Sequence, residues 1–209
     1  GGSMQALLGS INVRDAMATA RIDISLIGGD YLSRELNLHA GTGTATVGVG
    51  QLTGRVNTYA GAEHISADTA LLKLGDNISG DPTYYNTGGI EIVGTVSSTE
   101  GLAIVAGGDI TADLNGQIVT NGNNLLMIAG ANITSPCTGC TSPGPGTVGP
   151  TSGPTTPTSG LAEGPVTVSL TGGSGGDIDL SGSLVEKVID TSSSTSSGGN
   201  VTMVALADA

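Results

Sequence analysis

Apolar residues occupy alternate positions in Leu102-Ala-Ile104-Val-Ala106, and a near-copy follows in Leu125-Leu-Met127-Ile-Ala129. A period of two marks a strand with one buried face. Each stretch runs into a Gly corner carrying Asp109 or Asn132 and then a short Ile-Thr step. Such corner residues tolerate tight or left-handed backbone. Strand, corner and short strand, repeated, form one side of a stacked coil.

The alternating strand recurs along the chain, beginning at Ile22, Val56, Ile90, Leu125, Val166 and Val201, at intervals of 34, 34, 35, 41 and 35 residues. A second strand lies within each unit (Leu36-Asn-Leu38, Ala70-Leu-Leu72, Leu102-Ala-Ile104), and a third precedes each restart (Ile11-Asn-Val13, Ala45-Thr-Val47, Ile118-Val119, Val188-Ile189). Stacked units bury a continuous core, and each unit needs its neighbours. The pattern predicts an all-β chain: a right-handed parallel β-helix, or β-solenoid, of about five turns of roughly 34 residues. Residues 5–209 form one domain, and Gly1-Gly2-Ser3-Met4 reads as an artificial scar. An antiparallel sandwich is the alternative, but it requires no fixed period.

Three stretches depart from the pattern. Asp15–Ala20 is expected as a short helical corner. Gly80–Asn86 is expected to bulge from the coil, because Pro82 cannot sit inside a ladder, with Tyr84 or Tyr85 packed on the wall. Residues 135–165 hold seven of the eight Pro among Gly, Thr and Ser. They read as a corner insertion interrupting the solenoid. Deleting 136–164 is expected to leave the fold intact.

Composition narrows the classes. Thirty-six Gly, four Tyr and no Phe or Trp leave a core of Ile, Val, Leu and Ala in thin layers. A net charge of −12 with six basic residues argues against nucleic acid and anionic membranes. No apolar run approaches the ~18 residues of a membrane span, so no membrane insertion is expected.

Cys137-Thr-Gly-Cys140 lies in the insertion. A redox motif needs a helix start, and zinc needs a second pair of ligands. The remaining reading is a local disulfide in an oxidising compartment. Thr138, Gly139, Thr141, Pro143 and Pro145 around it are the contact candidates. Asp23, Asn57 and Glu91 would stack in one outward column and are the candidates for a cation such as Ca2+. Asp30, Asp76, Asp81, Asp109 and Asp177 read as corner caps bonding their own backbone. His39 points outward and His64 sits in a corner. No Ser/His/Asp set can be assembled, so no catalytic residue is assigned and no cofactor is expected.

Leu102-Ala-Ile-Val-Ala-Gly-Gly-Asp-Ile-Thr111, Ile128-Ala-Gly-Ala-Asn-Ile-Thr134, Gly176-Asp-Ile-Asp-Leu-Ser181 and Gly199-Asn-Val-Thr-Met-Val204 resemble the repeats of filamentous-haemagglutinin-like proteins, including bacterial adhesins and giant β-strand-repeat proteins. The resemblance spans 22–134 and 166–209. It implies extracellular or cell-surface display, with adhesion or matrix building and no catalytic residues to transfer. The chain is therefore expected to be a non-enzymatic, stiff segment of a large bacterial surface or secreted protein, contacting a cell-surface or matrix component. A β-helical polysaccharide lyase or hydrolase and a fibre module associating end to end are the alternatives.

Overall fold

The structure, a computed structural model, describes residues 3–14, 21–134, 161–163, 166–169, 173, 175–195 and 197–207. All regular structure in these residues is β; none is helical. The chain opens with β1 (Met4–Arg14), β2 (Ile24–Ile27), β3 (Tyr31–His39), β4 (Thr44–Val49), β5 (Leu52–Ala67) and β6 (Leu71–Asn86). Then come β7 (Gly89–Ile92), β8 (Thr95–Ser98), β9 (Leu102–Ala106), β10 (Ile110–Ala112), β11 (Gln117–Val119) and β12 (Leu125–Ala129). The last six are β13 (Asn132–Thr134), β14 (Leu161–Glu163), β15 (Val166–Ser169), β16 (Ile178–Asp179), β17 (Ile189–Asp190) and β18 (Val201–Ala205). Fifteen of them join in one sheet with parallel pairing throughout, wound as a β-solenoid.

Three inward columns define the coil. One runs Leu26, Val47, Ile65, Tyr84, Ile104, Met127 and Met203. Another runs Val13, Leu38, Thr58, Asn77, Val96, Ile118 and Ile189. The third runs Ile11, Leu36, Val56, Leu74, Ile92 and Ala112. Most members are completely buried and belong to one continuous cluster. Parallel strands demand this arrangement: each ladder rung sets a side chain directly over its equivalent one coil away, ~4.8 Å off.

Five steps separate Leu26 from Met127, so the coil makes about five turns before the insertion. Each step takes 18 to 23 residues (from 26 to 47, 65, 84, 104 and 127), not 34. The columns drawn from the sequence are corrected accordingly. Val56 stacks between Leu36 and Leu74, and Ile90 between Leu72 and Ile110. Leu125 does meet Val201, but Val166 belongs to a separate sheet. The physical reason is that period-two alternation looks the same on every wall of the coil. It reports which face is buried, not which wall a strand occupies.

The Gly80–Asn86 corner is also corrected. These residues lie in β6, and Pro82 pairs with Glu63. Pairing to the following coil lapses between Ser79–Ser98 and Thr83–Ala103, so the missing N–H of Pro82 forfeits no bond on that side. Of the two tyrosines, Tyr85 packs on the outer wall with Val105, Leu126 and Ile128, while Tyr84 lies inside the core, 1% exposed.

At Gly130 the chain leaves the coil. Its φ is +76°, and a Cβ there would lie 2.5 Å from backbone atoms of Gly175 and Gly176. β13 then pairs antiparallel with β15, and β15 with β14. The chain re-enters at β16, where Ile178 stacks on Ile110. The outer faces of β6, β9 and β12 are apolar here. Tyr85, Val105, Leu126 and Ile128 form a second cluster with Ala131 and Ile133, so the first strand of the small sheet covers the wall it departs from. Asp15–Ala20 lies outside the described residues, as do Cys137, Cys140, Thr138, Gly139, Thr141, Pro143 and Pro145.

Candidate functional site

Outward positions stack as strictly as inward ones. On β1, β3, β5 and β6 they build a face of two adjoining rows. One row is Asn12, Asn37 and Asn57. Asn37 Nδ2 donates to Asn12 Oδ1 at 3.0 Å, and Asn57 Nδ2 donates to Asn37 Oδ1 at 2.7 Å. The row ends at a register shift in β6, where the backbone N–H of Asp76 donates to Asn57 Oδ1 at 3.0 Å.

The second row is Arg14, His39, Tyr59 and Ile78. The His39 and Tyr59 rings lie 4.8 Å apart between centroids, tilted by 34°. Tyr59 is 47% exposed and Ile78 51%. His39 points outward, as its alternation with Leu38 and Ala40 predicts. These residues line a groove of about 320 Å3. Its chemistry is mixed. Side-chain amides both donate and accept, ring faces offer apolar area, and Arg14 adds a positive charge. That combination suits a ligand bearing hydroxyls on an apolar frame.

Beside it runs a charged row: Glu35, Arg55, Lys73, Glu91, Thr111 and Asp179. Arg55 Nε donates to Glu35 at 3.0 Å, and Lys73 Nζ lies 2.7 Å from Glu91. The hydrogen bond and charge of Arg55 hold Glu35 below the usual carboxylate range. Glu35 pairs with Arg55 and Lys73 with Glu91, so the charges cancel pair by pair and this row is a surface ion-pair ladder.

The cation trio is dispersed. Asn57 belongs to the amide row and Glu91 to the charged row. Asp23 sits elsewhere, accepting from the Thr44 backbone at 3.0 Å, with Arg21 at 3.9 Å. Their column rested on the 34-residue step and disappears with it. Among the described residues, no three His, Cys, Asp or Glu side chains converge as a metal site.

Three of the five expected corner carboxylates are caps, with one correction, and Asp81 instead lies within β6, paired with Ala62. Asp30 accepts from the Gln51 N–H, Asp76 from Thr95 and Asp109 from Asp177, each on the next coil rather than on its own backbone. Asn124 does the same for Asn200. Own-backbone turns occur at Asp113, Asp179 and Asp190. His64 is not in a corner. It lies within β5, buried, with Nδ1 2.9 Å from the Thr83 hydroxyl.

Sequence reasoning overlooked the buried pair Glu63 and Tyr84. Tyr84 Oη donates to Glu63 Oε2 at 2.9 Å inside the core. Glu63 is 0% exposed, and burial pushes its carboxyl up to about 7 against the hydrogen bond from Tyr84. Burial and the adjacent carboxylate raise the Tyr84 phenol. The signal in the sequence was a Glu at an inward position, two residues before Ile65. Comparison with family models, with curated proteins and with solved structures returned no match.

Proposed function

We propose that this chain is a non-enzymatic, stiff segment of a large bacterial cell-surface or secreted protein, and that it contacts cells or matrix through the outer face of β1, β3, β5 and β6. The observation that carries the reading is the groove uniting the amide row with the paired His39 and Tyr59 rings. A β-solenoid suits a stalk, because each coil rests only on its neighbours and length is added without a new core. The alternative of a polysaccharide lyase or hydrolase loses the carboxylate column that motivated it.

The test is binding of the purified chain to bacterial and host cell surfaces and to a glycan panel, with cleavage products assayed alongside. Binding that Tyr59→Ala and Asn37→Ala abolish, without cleavage, supports the reading. Binding indifferent to both substitutions places the contact elsewhere. Glycan cleavage refutes the non-enzymatic assignment.

A second reading, end-to-end assembly into a fibre, draws on the open edges. Among the described residues, β1 pairs only with β3 and β18 only with β12. Leu8 is 92% and Met203 44% exposed at these edges. Exposed strand edges invite further pairing. Concentration-dependent light scattering tests this, and a monomer at all concentrations rejects it.

A further inference from the structure

Two consecutive coils carry a cluster of inward polar side chains. Thr58 and Glu63 face inward from β5, and Asn77, Ser79 and Tyr84 face inward from β6. Asn77 lies directly beside Thr58 in the ladder, and Tyr84 reaches back to Glu63. Thr58 and Glu63 flank the Gly61 bend of one strand, and the Thr58 hydroxyl faces the Glu63 carboxyl.

Four oxygens in this layer are buried without a hydrogen-bond partner: Thr58 Oγ1, Glu63 Oε1, Asn77 Oδ1 and Ser79 Oγ. Their residues are 3%, 0%, 0% and 3% exposed. The orientation of Asn77 is not free, because its Nδ2 already donates to the carbonyls of Val56 (3.2 Å) and Gly75 (3.0 Å). Its Oδ1 must therefore be the atom left over, and it can only accept. Glu63 Oε2 is held by Tyr84, which leaves Oε1 as a second unmet group. The two hydroxyls can each donate, and neither meets an acceptor in hydrogen-bonding geometry.

We infer that Glu63, Thr58, Asn77 and Ser79 form an internal water-binding site between these two coils. A small molecule with two donors and two acceptors matches the set: it donates to Asn77 Oδ1 and one hydroxyl, and accepts from the other hydroxyl and from the protonated Glu63 Oε1. Buried water typically makes about three such bonds, and unmet buried polar groups are too costly to persist. The site does not depend on the adhesive reading and survives its failure.

The experiment is a high-resolution crystal structure of the chain at pH 6, with a second crystal grown in rubidium chloride. Thermal melts of Thr58→Val and of the exposed control Thr42→Val accompany it. Ordered water within hydrogen-bond reach of at least two of the four oxygens, with no rubidium signal there, is the expected result. Thr58→Val then lowers Tm by several degrees, and Thr42→Val leaves it within a degree or so. A dry layer in which the four side chains bond one another overturns the inference. So does anomalous rubidium density at that point, which would make the site a cation site. Equal melts for both valine variants also count against it.

Discussion

The Tyr84 hydroxyl meets the Glu63 carboxyl at 2.9 Å inside the solenoid, one coil to the next, with both side chains essentially inaccessible to solvent. The geometry implies a pH dependence of known sign. Glu63 titrates near 7 in the fold and at about 4.5 once exposed. Below pH 4.5 both states hold the proton, and its contribution is fully present. Between 4.5 and 7 the folded chain keeps a proton that the unfolded chain releases, so stability falls as pH rises. Above 7 the loss is complete, at about 3 kcal/mol. Glu63→Gln is expected to remove this slope, so that its stability relative to the parent chain is higher at pH 8 than at pH 5. Urea melts at the two pH values measure it, and parallel slopes for both proteins would refute it.

Tyr84→Phe tests the partner. It keeps the ring and leaves Glu63 Oε2 without its donor. The expected cost is about 1–3 kcal/mol, larger at pH 8 than at pH 5, because the charged carboxylate needs the donor more.

Asn57 and Asp76 cap successive coils but differ in what they require. Asp76 Oδ1 only accepts, from the Thr95 N–H. Asn57 accepts from the Asp76 N–H and also donates to Asn37. Asp76→Asn should therefore be nearly neutral. Asn57→Asp replaces a donor with an oxygen facing Asn37 Oδ1 and should cost about 1 kcal/mol or more. Denaturant midpoints of the two variants decide it, and equal values would break the argument.

Gly54 has a φ of +78°, and a Cβ there would lie 2.2 Å from the Ser33 carbonyl oxygen. Gly9 has nothing nearer than 4.0 Å. Gly54→Ala should destabilise by about 1–3 kcal/mol, while Gly9→Ala should be neutral or slightly stabilising.

Excising 136–164 should preserve a cooperative β melt, because no member of the three inward columns falls in that range. It removes β14 from the small sheet but leaves Ile133 over Tyr85, Val105 and Ile128. Extending the excision to 131–175 uncovers that apolar patch, and aggregation is then expected by light scattering.

The sequence by itself determined that the chain is a parallel solenoid with a Pro-rich insertion, because alternation and Gly corners are local and survive in any register. It even held the true step. Leu102 and Leu125, the near-copies 23 residues apart, are ladder partners. What the tertiary structure decided is which strand stacks on which. Ile110 skips Ile133 and takes Ile178, since backbone hydrogen bonds, not side-chain resemblance, select the partner. The outward rows followed from that choice. Asn12, Asn37 and Asn57 are unremarkable polar residues until a coil of about 20 residues sets them in line. Glu63 likewise reads as one acidic residue among many, and only the winding of the coil turns it inward to meet Tyr84.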